Sequence, residues 1–477
     1  MIFAISQLKG GCFMYYNSKT FYPSMKDRKI DVIGAGVSNT ELIFRLAAVG
    51  ANVTLHDKNR EENMRADIIK RMREAGVSLS LGETYLDDLD GEIIFRTPGM
   101  YFNHPALIEA RNKGKTVTSE LEVFLELCPC PVFGVTGSDG KTTTTTLIAE
   151  MLRRTGRRVH LGGNIGKALL PILDKVEPND FCVVELSSFQ LMSIRSSPDV
   201  AVLTNITPNH LDVHKTMDEY IACKKNILAH QDAFSRAVIS ADNETAGDLA
   251  GDVRGRLVRF SRKKPVSDGA WMDENEVLYH SIGGRAVKIV SHSEMKLRGL
   301  HNVENLLAAA SAVWGFVSPQ DIAEVARTFS GVEHRIEPVR TRNGVQWYND
   351  SIATSPTRMI AGLLSFEEKL IVIAGGYDKN IPFEPMAKPV IDHVKTLILT
   401  GATADKIEAV VRRAEGFEES GLEILRAADI AEAVKIAESV AKEGDIVTLS
   451  PACASFDSFP NFEARGNYYK ELVNALD

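Results

Sequence analysis

Gly137-Ser138-Asp139-Gly140-Lys141-Thr142 decides how this chain is read. Before it stands an apolar run, Pro131-Val132-Phe133-Gly134-Val135-Thr136, of the kind that forms a buried strand. After it, Leu147, Ile148, Met151 and Leu152 recur at helical spacing, and Gly156 is placed to end that helix. A strand, a glycine turn, a lysine and a hydroxyl at a helix start make a phosphate cradle, because first-turn N–H groups and the helix dipole face the anion. Lys141 can reach outer phosphates, and the Thr142 hydroxyl can bind Mg²⁺. The spacing departs from the usual P-loop, since Val135 occupies the place of the first glycine and the glycines fall at 134, 137 and 140. Five threonines in a row, 142–146, are poor helix material, so they read as functional hydroxyls.

Outward from this motif, 477 residues imply about three domains. A net charge of −8 without a basic stripe argues against a nucleic-acid partner. No apolar run approaches the ~20 residues of a membrane span. The six cysteines, Cys12, Cys128, Cys130, Cys182, Cys223 and Cys453, include no CxxC pair, so neither zinc nor a disulfide framework is expected, and a reducing cytoplasm fits. Residues 1–27 precede the first clear strand and lack the features of a signal peptide. A strand-like extension and a start at Met25 both fit them.

Residues 28–128 alternate strands and helices. The turn Gly34-Ala35-Gly36 follows the strand 30–33, with Asn39 where a third glycine would stand, and Asp57 lies about 20 residues on. This reads as a dinucleotide site, a nucleotide-diphosphate site, or a plain tight turn. Cys128-Pro129-Cys130-Pro131 is a linker into a middle domain, 129–330. Its runs 181–184 and 200–203 are nearly all apolar, as buried parallel strands should be. Residues 242–299 read as shorter antiparallel strands. The last domain, 331–477, has strand candidates at 345–348, 370–373, 396–399 and 445–448, and a helix capped by Asp429.

Chemistry-bearing residues cluster after strands. Glu185 leaves a buried strand as a metal candidate, or as a carboxylate facing water or capping a helix. Residues 204–212 gather Asn205, His210 and Asp212. Lys224 and Lys225 read as a solvated helix face. Asn302 and Asn305 share one helix face. In the last domain, Asn349-Asp350-Ser351, residues 375–379 and residues 450–455 follow three strands, where a small anion would be held.

The segments 136–142, 185–190 and 210–212, His301 with Asn305, His334-Arg335 and 349–351 resemble, in order and spacing, the Mur ligases of peptidoglycan synthesis, over residues 30–477. Residues 162–166, 186–190 and 449–466 are most similar to the member that adds D-glutamate to UDP-N-acetylmuramoyl-L-alanine (UDP-MurNAc-L-Ala). The resemblance implies an α/β chain of three domains: Rossmann-like, P-loop ATPase-type and Rossmann-like. It implies ATP-dependent ligation through an acyl phosphate, by a cytoplasmic monomer. ATP would be held by Gly137, Ser138, Asp139, Gly140, Lys141, Thr142, Thr143, Asn164, Asn305, Arg335 and Asp350. Two Mg²⁺ ions, replaceable by Mn²⁺, would use Thr142, Glu185, His210 and a carbamylated Lys224. Lys141, Glu185, His210 and Lys224 would be catalytic. Val37, Ser38, Asp57, Lys58, Thr97, Pro98 and Gly99 would take the uridine end, and Ser187 and Gln190 the muramoyl arm. Thr354, Lys379, Ser455, Phe456 and Phe462 would surround D-glutamate. Ile352 stands where some relatives carry lysine. With ATP and amino-acid residues in separate domains, closure on ligand binding is expected.

Overall fold

Four sheets, joined mostly by helices, organise the chain in the computed structural model, which describes residues 16–207, 214, 216–297, 299–379 and 381–476. The chain divides into two compact units after Phe329. In the first unit, β1 (Lys29–Ile33), β2 (Asn52–Asp57), β3 (Ser78–Leu81), β4 (Ile93–Phe95) and β5 (Thr116–Thr118) form a parallel sheet in the order β3-β2-β1-β4-β5. The order reverses between β1 and β4, which is where open α/β sheets hold ligands.

The second sheet comprises β6 (Val132–Thr136), β7 (Val159–Gly163), β8 (Phe181–Glu185), β9 (Val200–Leu203), β10 (Arg236–Ser240) and β11 (Arg256–Phe260). Its order, β11-β10-β9-β6-β8-β7, puts β6, the strand that leads into the 137–140 loop, near the centre. All four residues of β9 and all five of β6 and β8 are buried, which is why these runs carry so few polar side chains. Within 242–299 the expected antiparallel strands are β12 (Gly269–Met272), β13 (Val277–Ile282) and β14 (Arg285–Ser291). The same segment also contains β11, paired parallel to β10, and the helix Glu244–Asp248, neither of which alternation revealed.

A continuous apolar cluster joins the first sheet to the second, with Leu46, Leu121 and Phe124 packed with Leu170, Leu173 and Val184. Glu120 is buried at this seam and accepts the N–H groups of Leu169 (2.8 Å) and Leu170 (2.6 Å). Burial pushes its carboxyl up to about 7.

Residues 16–27 take part in the same core. They form turns and the short 3₁₀ segment Pro23–Met25 rather than a strand. Phe21, Tyr22 and Met25 are buried, and the Tyr22 hydroxyl donates to Leu170 O at 2.8 Å. Lys19 pairs with Glu177 at 2.6 Å. Phe21→Ala should therefore lower unfolding free energy by about 3–5 kcal/mol, the usual result of truncating a buried aromatic. Urea denaturation of the full chain measures this, and a change below about 0.5 kcal/mol would contradict the packing.

The second unit carries β15 (Glu337–Arg342), β16 (Val345–Asn349), β17 (Leu370–Ala374), β18 (Val394–Leu399), β19 (Glu423–Arg426) and β20 (Ile446–Leu449), in the order β15-β16-β20-β17-β18-β19. Only β15 is antiparallel to its neighbour. The helix Ile430–Val440 starts where its cap predicts, the Asp429 carboxylate accepting Glu432 N–H at 2.8 Å. Among the described residues no helix is long and apolar enough to cross a membrane.

Candidate active site

The loop 137–140 leaves the centre of the second sheet between the ends of β8 and β9. Val135 pairs with Glu185, and Thr136 with Leu203. Two backbone positions fix its path. Gly137 has φ +154° and Gly140 φ +76°, and a Cβ at either would sit 1.8 Å from Thr204 Oγ1 or 2.1 Å from Asn305 Oδ1. The end of β9 buttresses the turn: Thr204 Oγ1 donates to Asp139 O (2.7 Å), and Asn205 Oδ1 accepts Asp139 N–H (3.0 Å). Ser138 N–H donates to Asn205 O at 2.9 Å. The Ser138 and Asp139 backbone donors are thus spent on the protein. The first-turn N–H groups of Thr142 and Thr143 have no carbonyl one turn earlier and remain suited to a phosphate.

The threonine run divides its labour. Thr145 and Thr146 return their hydroxyls to Lys141 O (2.7 Å) and Thr142 O (2.9 Å), which is how β-branched residues are accommodated here. Thr144 donates to Asn305 Oδ1 at 3.2 Å. The reading of all five as functional hydroxyls is corrected accordingly, with Thr142 and Thr143 left as the candidates.

Gly140→Ala should weaken ATP binding at least tenfold. The left-handed backbone costs an alanine about 1–2 kcal/mol, and Asn305 must also move. Calorimetry with ATP measures it, and unchanged affinity would mean the loop is not the cradle.

Lys141 Nζ donates to Ser138 O (2.8 Å) and Gly137 O (3.1 Å). Lys224, on the helix Met217–Ala229, corrects the reading of a solvated face. It is 1% exposed and donates to Gly137 O at 2.7 Å. Burial, then the neighbouring Lys141 charge, pushes its amine down to about 7. Lys225 is the solvated member, paired with Asp252 at 2.8 Å. Tyr220 lies beneath Lys224, 4.7 Å from Nζ to the ring centroid, with its hydroxyl 3.0 Å from Ser138 Oγ. The Tyr220–Ser138 link was not foreseen, although the i, i+4 spacing of Tyr220 and Lys224 was visible.

Glu185 ends β8, 1% exposed. Its Oε1 accepts from Asn164 Nδ2 at 2.8 Å, and its Oε2 is buried with no hydrogen-bond partner among the described residues. A buried, half-satisfied carboxylate oxygen beside a phosphate loop fits a cation. This excludes the water-facing alternative. His210 lies outside the described residues, as does the Val37 side chain.

At the end of β2, Asp57 accepts the N–H groups of Ala35 and Asn59, both at 2.9 Å, and so ties the Gly34–Gly36 turn to that strand. Asn39 Nδ2 donates to Ile33 O (2.9 Å), bracing the turn in place of the third glycine. Ser38 is half-buried and Lys58 exposed. Thr97, Pro98 and Gly99 follow β4, their turn braced by the fully buried Arg96, which donates to Met100 O at 3.2 Å. Ser187 and Gln190 cap one short helix reciprocally, Gln190 Oε1 accepting Ser187 N–H at 2.9 Å.

In the second unit, β16, β20 and β17 are adjacent, so their carboxyl ends assemble the three polar stretches. Asp350 is buried, with Ser450 Oγ donating to one oxygen (2.9 Å) and Ile336 N–H to the other (3.2 Å). Burial pushes its carboxyl up to about 7. Arg335 is half-buried, its Nε without a partner among the described residues. Lys379 Nζ donates to Thr354 O at 3.3 Å. Burial first, then the Arg358 and Arg465 charges, lower its amine from the usual range. Ser455 is buried, Phe462 stands edge-on to His334, and Phe456 is exposed beside Tyr377. Arg465 was missed as an organiser. Only 2% exposed, it donates to Ser351 O and Cys453 O (both 3.0 Å) and Ala454 O (3.1 Å). An arginine among the helix positions of the 449–466 motif was its only signal.

Residues 135–313 match the Mur ligase middle domain, and residues 334–453 the Mur ligase glutamate ligase domain. The UDP-N-acetylmuramoylalanine–D-glutamate ligase of Acetivibrio thermocellus is 48% identical over 462 residues, 96% of this chain and 98% of that one. The corresponding ligase of Clostridium kluyveri is 47% identical over 464 residues, 97% of this chain and 100% of its own. Among solved structures, the UDP-N-acetylmuramate-alanine ligase of Thermotoga maritima aligns with TM-score 0.57 at 18% identity, over 94% of this chain and 99% of that one. A pseudomurein peptide ligase type C from Methanothermus fervidus aligns with TM-score 0.53 at 21% identity, over 94% and 100%. These two carry the fold alone. By its near-full-length relatives and by both matched domains, the chain belongs to the Mur ligase family.

Proposed function

We propose that this chain joins D-glutamate to UDP-MurNAc-L-Ala with cleavage of ATP, in the cytoplasmic synthesis of peptidoglycan precursors. The observation that carries it is identity near 48% over almost the whole chain to ligases named for that reaction. In this reading residues 28–128 take the uridine nucleotide, 129–330 take ATP, and 331–477 take the amino acid, in a monomer.

The L-alanyl carboxylate oxygen attacks the γ-phosphorus, ADP leaves, and an acyl phosphate forms. The D-glutamate amine attacks the acyl carbon, and the tetrahedral intermediate expels phosphate to leave the amide. Lys141 and the first-turn N–H groups of Thr142 and Thr143 orient the outer phosphates and offset the charge that develops on them. Glu185 Oε2, Thr142 and His210 would hold Mg²⁺, for which Mn²⁺ could substitute. Bound there, the ions supply charge neutralisation at the transferring phosphoryl group. Asn164 and Asn305 brace the site, and Arg335 and Asp350 are assigned to the nucleotide, Asp350 near the ribose. Lys379 is assigned to a substrate carboxylate, with Thr354, Ser455, Phe456 and Phe462 around D-glutamate. Val37, Ser38, Asp57, Lys58, Thr97, Pro98 and Gly99 are assigned to the uridine end, and Ser187 and Gln190 to the muramoyl arm.

The test is phosphate release with ATP, Mg²⁺ and UDP-MurNAc-L-Ala, offering D-glutamate, L-glutamate, L-lysine, meso-diaminopimelate or D-Ala-D-Ala in turn. Turnover with D-glutamate alone is expected. Turnover with a different amino acid would keep the ATP chemistry and overturn the assignment of Thr354, Lys379, Ser455 and Phe462.

A further inference from the structure

Sequence spacing gave no metal signal among the cysteines, yet the fold gathers three of them. Cys128, Cys130 and Cys182 bring their sulfurs to 3.7 Å (128–130), 3.6 Å (128–182) and 3.5 Å (130–182). The means are local. Pro129 and Pro131 have no N–H and a fixed φ, which keeps the 128–131 stretch extended, so positions two apart turn to the same side. The stretch docks along β8, with Cys182 N–H donating to Pro131 O at 3.0 Å and Val132 in register with Cys182. Cys130 and Cys182 are buried, while Cys128 is partly open to solvent and provides a way in.

We propose that Cys128, Cys130 and Cys182 form a thiolate site for a zinc-type divalent cation. A tetrahedral centre with zinc–sulfur bonds of about 2.3 Å separates its sulfurs by about 3.8 Å. A planar three-sulfur centre with the same bonds would need about 4.0 Å. The observed edges, 3.5, 3.6 and 3.7 Å, are shorter than both and nearer the tetrahedral face, which leaves one vertex. His160 lies beside it, in register with Cys182 on β7, its Nε2 2.8 Å from Asp180 Oδ2. A carboxylate on one ring nitrogen is the usual support of a metal-bound histidine. His160 is not part of the close triangle, so the vertex falls to its Nδ1 after a ring rotation, or to water. Binding displaces one proton from each thiol, giving a trithiolate–metal unit and three released protons.

The site is separate from the ATP chemistry. Cys182 is near the start of β8 and Glu185 at its end, about 10 Å apart at the strand rise. What the cation would do there is clamp the linker between the first two sheets to the strand that carries Glu185.

The test uses the full, reduced protein and Co²⁺ as probe. A near-ultraviolet thiolate-to-cobalt band is expected, saturating at one equivalent, bleached by equimolar Zn²⁺, and lost in both Cys128→Ser and Cys182→Ser. Oxygen-ligated sites such as Glu185 give no such band, and ligation of D-glutamate is not the readout. Cys128→Ser alters a partly exposed helix end and guards against failure of the buried variant to fold. Absence of the band while all three thiols react with a disulfide reagent would overturn the proposal. So would a metal-free protein whose intact mass shows the loss of two hydrogens that a disulfide within the trio requires.

Discussion

Glu185→Gln is expected to lower kcat/KM by about 10²–10³ and to raise the stability of the ligand-free protein by about 1–2 kcal/mol. The two effects share one cause. Glu185 is 1% exposed, and among the described residues only its Oε1 has a partner, Asn164 Nδ2 at 2.8 Å. An Oε2 without a partner among the described residues is a cost to the fold. A glutamine keeps the acceptor that Asn164 needs and replaces the unpaired anionic oxygen by an amide, which is cheaper to bury. It cannot, however, offer a second anionic oxygen to a cation. Steady-state kinetics across a Mg²⁺ titration, set beside urea denaturation without ligands, measures both. A variant that is inactive and also less stable would make Glu185 a structural carboxylate. A variant of full activity would remove it from the metal assignment.

The arrangement of strands was legible because buried parallel strands write themselves as short apolar runs, as at 181–185 and 200–203, and because glycine turns follow them. The glycine turn at 137–140 was legible for the same reason. Left-handed backbone at Gly137 and Gly140, with Thr204 and Asn305 pressed against it, leaves no alternative to glycine. Lys224 was not legible from composition. A lysine beside a second lysine on a helix carries no mark of burial, and only the packing of Met217–Ala229 against the phosphate loop removes one of the pair from water. The cysteine cluster was hidden by distance, since Cys182 comes into contact with the 128–130 pair only through the β6–β8 register. The role of 16–27 was hidden as well. A turn segment with Phe21, Tyr22 and Met25 has no period to read, although its three apolar side chains are core.

Lys224→Ala is expected to reduce kcat by about 10³ or more, with activity partly restored by formate or acetate. The magnitude follows from removing a charged group at a phosphoryl-transfer site. The rescue follows from what the lysine is proposed to become. Its amine is 1% exposed and shares the Gly137 carbonyl with Lys141, whose Nζ is 3.1 Å from the same oxygen. Burial disfavours the ammonium form, and repulsion from the Lys141 ammonium on the same carbonyl adds to it, so the Lys224 amine is held at about 7 rather than in the usual lysine range. At neutral pH a large fraction is therefore the free base. In the carbamylation that we propose, that base attacks the carbon of CO₂, a nitrogen–carbon bond forms, one amine proton leaves, and a carbamate results. The group would thereby change from a cation that crowds Lys141 to an anion that neutralises it and could hold a metal. Because the folded pKa is depressed, the reactive neutral form grows as pH rises through about 7 and is lost below it. Wild-type activity should show that acid limb, and the formate-rescued variant should lack it. A carbamate resonance from ¹³C-bicarbonate should appear in the wild type and vanish in Lys224→Ala. If the amine served only to brace the loop, no small carboxylate would restore turnover and no such resonance would appear. Lys224→Arg separates the two accounts once more. It keeps a buried cation and a donor for Gly137 O but cannot be carbamylated, so it should be as inactive as the alanine variant and should fail to respond to formate.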